Sequence, residues 1–370
     1  MSIAIFLTTD LKMGGGVERW TLNTIKGKPN DQKIKIISTD YADRARFSVI
    51  NEISQIDNEQ KLNLIENKLN FLRQSRVLSF LLDNAIIPVM LTFLKKSYSK
   101  KLNLSDVEIV YLTKNQYWKL FKGKKIVGSN HTEFGNEGFI SRIKAKLYSS
   151  GIIYRDISYF HVFPGRERIE KILGMKAEIA IIPNGTSSRN CNKKTGNITR
   201  FLFVGRLETI KGIQILLTAW TNLQREDCFL DIVGAGTLTK DSYSGLKYVN
   251  FRGIVSDEEL NRIYCNTDVF IYPTLWDSFP NTIIEAMSAG CKIVTSKFLK
   301  GAFGGDGNES FLTFVEPDVS SIIEEINKAA DNLHETRKQG ELTYEFFRKN
   351  YELAMVNEKF YNFLNKIRNE

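Results

Sequence analysis

Histidine and cysteine are scarce, with three histidines and four cysteines among 370 residues. Cys191, Cys228, Cys265 and Cys291 form no C-x-x-C pair and sit in no Cys/His cluster. That spacing argues against a structural zinc site and against a disulfide framework. Unpaired cysteines in turn point to the reducing cytoplasm. Long apolar runs are also missing. The longest stretch, 77–94, is interrupted by Asp83, Asn84 and Pro88, which argues against a transmembrane helix. The apolar start, 3–7, lacks the length and basic flank of a secretory signal. Seven prolines and 25 glycines exclude a collagen-like or low-complexity chain. No repeat of 20–50 residues is visible, and no Asp-x-Asp occurs anywhere.

What is present is an ordinary globular composition, 42% hydrophobic and 25% charged, long enough for two domains. The net charge of +9 is unevenly placed. Residues 1–190 carry 30 Lys+Arg against 18 Asp+Glu, and residues 191–370 carry 21 against 24. The first half is therefore +12 and the second −3, so the first half is expected to face something anionic. Arg73 and Arg76 precede the apolar stretch 77–94, and Lys95, Lys96, Lys100 and Lys101 follow it. Arg142, Lys144 and Lys146 lie just before Leu147 and Tyr148. Basic and apolar residues together suit an anionic membrane surface, or simply a helix buried on one side. No nucleic-acid motif or RNP-like aromatic pattern accompanies them, so nucleic acid is not expected.

Apolar strands are expected at 3–9, 34–38, 107–112, 125–129, 157–162 and 179–182, with helical patterns between most of them. The polar run 184–200 reads as a linker. A second set follows, with strands at 201–205, 229–233, 248–251, 269–272, 292–295 and 311–315. Helices are expected near 211–223, 257–265 and 281–289. The tail from 319 onward is helical, and its aromatic stripe reads as packing. This alternation predicts an α/β chain of two doubly wound, Rossmann-like domains facing each other across a cleft. The expected boundaries are 1–190 and 191–351, with a terminal helix over about 352–370 packing back on the first domain. Ligands of such sheets bind beyond the carboxyl ends of the strands, so motifs should follow strands.

Four segments do. Gly14, Gly15 and Gly16 follow the first strand, where glycine lets backbone N–H groups approach an anion. Gly205-Arg206 and Lys211-Gly212 place two cations five residues apart beside a helix start, suited to clamping a diphosphate or to facing solvent. Gly234-Ala-Gly236 ends another strand as a tight turn. The most specific segment runs Trp276-Asp277-Ser278-Phe279-Pro280-Asn281-Thr282, with Glu285 on the helix that follows. Pro280 near a helix start costs little, and the free N–H groups of that turn can receive phosphate oxygens. A carboxylate at Glu285 can accept two ribose hydroxyls.

In this order the motifs resemble family 4 retaining glycosyltransferases, most strongly over 201–296, and Asn184-Gly185 before the linker is similar too. The resemblance implies the GT-B fold. It implies that Arg206 and Lys211 neutralise the donor diphosphate and that Glu285 binds the nucleotide ribose. Ser278, Phe279, Pro280, Asn281 and Thr282 would hold diphosphate and sugar, with Gly15, Gly16 and Gly205 also on the donor. The family pattern is Glu-x7-Glu; here Asp277 stands first, one methylene shorter, near the donor sugar. His131, in Asn130-His131-Thr132 at a strand end, matches the histidine placed near the transferred sugar. Glu18, Arg19 and Glu133 are acceptor-side candidates, with Arg19 facing an anionic acceptor.

The resulting expectation is retaining transfer from a nucleotide diphosphate sugar, UDP-sugar favoured, to a saccharide, lipid-linked at the cytoplasmic membrane face, in bacterial surface polysaccharide synthesis. With no Asp-x-Asp, the reaction is expected to need no metal and no cofactor beyond the donor. The alternatives are a nucleotide-sugar epimerase of the same fold and a non-catalytic nucleotide-sugar-binding subunit.

Overall fold

The computed structural model describes residues 2–7, 16–38, 59–61, 78, 81–129, 157–164, 177–192, 195–223, 225–238, 246–303 and 311–370. Elements are numbered along these. Seven strands build the first sheet: β1 (Ser2–Phe6), β2 (Lys33–Ser38), β3 (Glu59–Lys61), β4 (Ile109–Leu112), β5 (Lys125–Ser129), β6 (Tyr159–Val162) and β7 (Glu178–Ile181). Their order is β3-β2-β1-β4-β5-β6-β7, and the pairings are parallel. The second sheet holds β8 (Thr199–Val204), β9 (Cys228–Val233), β10 (Val249–Gly253), β11 (Val269–Tyr272), β12 (Lys292–Ser296) and β13 (Leu312–Val315). Its order is β10-β9-β8-β11-β12-β13, again parallel. Chain order reverses between β1 and β4 and between β8 and β11, which are the points where such sheets open a crevice for ligands.

Residue alternation in β1 explains how the first sheet is covered. Ala4 and Phe6 pack in one core cluster, while Ile3 and Ile5 pack in another on the opposite face. The helix α1 (Gly16–Lys26) covers the second face through Trp20 and Leu22. The helix α2 (Ile87–Lys101) covers the first through Ile87, Leu91 and Tyr98. In the second half, α3 (Ile213–Asn222), α4 (Asp257–Cys265) and α5 (Asn281–Met287) connect the strands, with a short α6 (Lys300–Phe303). Ser256 caps α4 by accepting from the Glu259 N–H, and three acids in the first turn favour the positive end of the helix dipole. Three helices close the chain: α7 (Val319–Asp331), α8 (Leu333–Asn350) and α9 (Leu353–Asn369).

The last helix crosses back onto the first sheet. Val356, Phe360, Leu364 and Ile367 of α9 share a core with Ile3, Trp20 and Tyr111. Lys125 Nζ donates to the Ile367 and Arg368 carbonyls at 2.8 and 3.0 Å, placing a cation where the helix dipole favours one. The chain thus passes between the halves twice, and the crossings are tied together. Thr186 N–H donates to the Tyr351 carbonyl, and Leu353 N–H donates to the Thr186 carbonyl.

One sequence expectation is overturned. Cys191 and Cys265 form a disulfide across 74 residues of sequence, because the segment after β7 runs past the end of α4. Cys228 and Cys291 are buried and take no part in the disulfide. The cysteine-based argument for a reducing compartment falls with this pairing.

Candidate functional site

The crevice at the second switch point carries a pocket of about 290 Å³. Gly205 and Arg206 reach it from the end of β8, and Lys211 from the turn Thr209–Lys211 before α3. Tyr272 reaches it from the end of β11. Asp277, Ser278, Phe279, Pro280, Asn281 and Thr282 form the opposite wall, and Gly16 and Val17 come from the first half. The sequence-predicted cations and the 277–282 loop are therefore brought together, with Gly16.

Two glycines make this convergence possible. Gly212 has φ +75°, and a Cβ there would come within 1.8 Å of the Pro273 carbonyl oxygen. Gly234 has φ +134°, and a Cβ would come within 1.9 Å of the Gly205 oxygen. Both positions combine a left-handed backbone with direct backbone contact, which only glycine accommodates.

Charges in the pocket are paired. Lys211 Nζ lies 2.7 Å from Asp277 Oδ2, and the Tyr272 hydroxyl donates to the same oxygen at 2.9 Å. Arg206 pairs with Glu208 at 3.0 Å. Burial, then the adjacent Asp277 charge, raises the Tyr272 pKa well above its ordinary value, so it remains a neutral donor. Three buried polar atoms on this pocket have no hydrogen-bond partner: Asn184 Oδ1, Trp276 Nε1 and Thr282 Oγ1. Buried polar atoms are seldom left unpaired, so these mark groups that a polar ligand can satisfy.

Glu285 stands apart from that set. It lines a second pocket of about 230 Å³ with Arg19, Arg189 and Asp257. Its carboxylate is buried and accepts from the Tyr264 hydroxyl at 3.0 Å. Burial and the Glu285 charge raise the Tyr264 pKa well above its ordinary value, so Tyr264 too stays a donor. Arg189 donates to the Glu285 carbonyl at 2.9 Å and lies over the Tyr264 ring at 4.7 Å. The Glu285 carboxylate is thus held by Tyr264 and its backbone by Arg189.

The two halves meet across these pockets. Arg19 Nη1 and Nη2 donate to the two Asp257 carboxylate oxygens at 3.0 and 2.7 Å. Burial opposes the Arg19 charge, but the Asp257 bonds and the charges of Glu285 and Asp257 outweigh it and raise its pKa. Arg19 was expected to face an anionic acceptor; here it binds the other half of its own chain. Asn281 Nδ2 donates to the Gly16 carbonyl at 2.9 Å, and Asn184 Nδ2 donates to Asn281 Oδ1 at 2.5 Å. The Phe163 ring, which follows β6, stacks on Phe279 of the 277–282 loop with centroids 5.5 Å apart.

Glu18 is buried on α1 and does not line the first pocket. Gly15, His131 and Glu133 lie outside the described residues. Sequence reasoning did not single out Tyr272, Tyr264 or Phe163 as site residues. A tyrosine ending an apolar strand or lying on an amphipathic helix looks like core. The one signal was that a buried hydroxyl needs a partner, and an acid stood five residues after Tyr272.

Comparison with known proteins agrees with this architecture. Residues 198–332 match the family described as Glycosyl transferases group 1. An N-acetylgalactosamine-N,N'-diacetylbacillosaminyl-diphospho-undecaprenol 4-alpha-N-acetylgalactosaminyltransferase from Campylobacter jejuni is 27% identical, over 32% of this chain and 33% of its own. The chain spans about a quarter to a half of the first curated relatives it matches. Sucrose-phosphate synthase from Thermosynechococcus elongatus superposes with a TM-score of 0.73 at 14% identity, covering 99% of both chains. Anabaena HepE in complex with UDP and glucose gives a TM-score of 0.66 at 16% identity, covering 98% of this chain and 99% of that one. At these identities the likeness establishes the fold: the chain is built as a GT-B protein, and residues 198–332 within its second half match the family described as Glycosyl transferases group 1.

Proposed function

We propose that this protein is a retaining glycosyltransferase that moves a sugar from a nucleotide diphosphate sugar, UDP-sugar favoured, to a lipid-linked saccharide. The observation that carries the reading is the pocket holding Arg206 and Lys211 beside three unpartnered buried polar atoms. Breaking the donor's C1–O bond leaves negative charge on the diphosphate. Arg206 and Lys211 are placed to stabilise that charge as it develops, without the Asp-x-Asp motif that would hold a metal. Asp277, fixed by Lys211 and Tyr272, orients the donor sugar. Thr282, Trp276 and Asn184 supply hydrogen bonds to diphosphate and sugar oxygens. Glu285 takes the ribose in the second pocket, which Arg19 and Asp257 close. Attack comes from the face the leaving group departs from, and the leaving phosphate accepts the proton of the attacking hydroxyl. Closure of the halves excludes water from the bond being broken.

The Campylobacter relative is named for a diphospho-undecaprenol-linked substrate, and a relative from Escherichia coli is an O-antigen chain mannosyltransferase. These support a lipid-linked acceptor in bacterial surface polysaccharide synthesis, with the enzyme in the cytoplasm against the inner face of the membrane. The test is transfer of radiolabelled sugar from a UDP-sugar into lipid extracted from bacterial membranes, followed by the anomeric configuration of the product. Label in the lipid with retained configuration supports the reading. Donor consumption that needs no acceptor would indicate an epimerase, and tight binding without turnover a non-catalytic subunit.

A further inference from the structure

Exposed apolar surface is concentrated outside the cleft. Of the twelve large hydrophobic side chains exposed among the described residues, five fall within 78–93: Leu78, Leu81, Ile86, Val89 and Phe93. Phe93 is 80% and Val89 56% exposed, although Ile87 and Leu91 of the same helix are buried. Ile86, Val89 and Phe93 follow one another at spacings of three and four, so they form a single line along the outer face of α2. Scattered exposed apolar residues need no explanation, but a contiguous line beside cations does.

The cations are there. The helix α2 contains four lysines and no acid, and residues 81–129 contain nine lysines against three acids. Lys100 and Lys101 end the helix on exposed positions. On the neighbouring helical turn, Lys119 Nζ lies 3.1 Å from Thr92 Oγ1, beside Phe93, and 5.6 Å from the Trp118 ring. A second copy of the chain meeting this face symmetrically would set lysine against lysine. An anionic bilayer instead supplies an apolar layer for the rings and phosphates for the lysines.

We propose that the outer face of α2 docks the protein onto an anionic membrane surface. Val89 and Phe93 enter the boundary between headgroups and acyl chains, and Lys100, Lys101 and Lys119 meet lipid phosphates. The +12 charge of the first half draws the protein to that surface. The docking rests on this face alone and is independent of which sugar is transferred.

Flotation with vesicles of phosphatidylcholine, alone or mixed with phosphatidylglycerol, tests it. The intact protein should float with the mixed vesicles and lose binding as salt is raised. Val89→Ser with Phe93→Ser should weaken partitioning by about tenfold or more, equivalent to about 1.4 kcal/mol. Lys100→Gln with Lys101→Gln should remove most of the preference for the anionic lipid. Thermal melting and UDP binding of the same samples show that each variant is folded, and separate a failure of docking from a failure of the donor site. The proposal is overturned if the intact protein ignores mixed vesicles, or if the variants float equally well. It is overturned too if Phe93→Ser converts a dimer to a monomer, which would assign the face to a second copy.

Discussion

Lys211 and Asp277 are 2.7 Å apart in the pocket, and the Tyr272 hydroxyl shares the same carboxylate oxygen. The cation assigned to the leaving diphosphate is therefore held in place before any donor arrives. Removing it should cost transition-state stabilisation more than folding. Lys211→Ala is expected to lower kcat/KM by about 100- to 1000-fold, the range for losing one preorganised donor at a developing charge. Tyr272→Phe leaves the charges intact and loosens Asp277, so its loss should be smaller. Steady-state kinetics on both variants check this order.

Arg19 and Asp257 join residues 238 apart in sequence and line the second pocket. Asp257→Asn removes the charge that faces Arg19 and should loosen the closed arrangement. The expected result is a rise in donor hydrolysis relative to transfer, because water is less well excluded. Free sugar and transferred sugar measured in one reaction give the ratio directly. An unchanged ratio would deny the pair a role in closure.

His161 supplies a pH test of the first half. It is buried, with Nε2–H facing the Ile182 carbonyl at 2.8 Å and Nδ1 2.6 Å from the Tyr111 hydroxyl. Burial lowers its pKa from 6.5 to about 4, against a weaker opposing effect of the Ile182 bond. Between those values the unfolded chain binds a proton that the folded chain does not. Stability is therefore fully present above about pH 6.5 and is lost as pH falls towards 4, by on the order of 3 kcal/mol. Melting temperatures across this window should fall for the natural chain. His161→Asn should be less stable at neutral pH and show a flatter decline.

Gly212 carries a prediction of its own. With φ +75° and the Pro273 carbonyl in the way, Gly212→Ala must move either α3 or the strand-end loop. A loss of about 2 kcal/mol or more is expected, with weaker donor binding because Lys211 is the preceding residue. Gly123→Ala is the control, since it shares a positive φ but meets nothing within 4 Å. Its cost should be the backbone term alone. Urea unfolding of the two variants separates the effects.

Much of the frame was legible in the sequence because buried parallel strands are almost continuously apolar. The expected bounds of β5, α4 and β11 agree with the structure, and most other strands differ by one or two residues. The strand β3, Glu59–Lys61, was missed: its three residues are polar and carry no apolar period. The loop 277–282 and the cations at 206 and 211 were legible because proline, glycine and charge punctuate strand ends. Pairings between distant segments were not. Nothing local in Arg19 names Asp257, nothing in Cys191 names Cys265, and nothing in Tyr264 names Glu285. Such contacts follow from how the two sheets are set against each other, which one-dimensional patterns do not encode.

The donor clamp is tested most directly by calorimetric titration with UDP-, GDP-, ADP- and dTDP-sugars in the presence of a chelator, on the natural chain and on Lys211→Ala. The account predicts that one nucleotide sugar, a UDP-sugar first, binds the natural chain tightly and that binding falls sharply when Lys211 is removed. Equal binding by Lys211→Ala, or no binding of any nucleotide sugar by the natural chain, would contradict it.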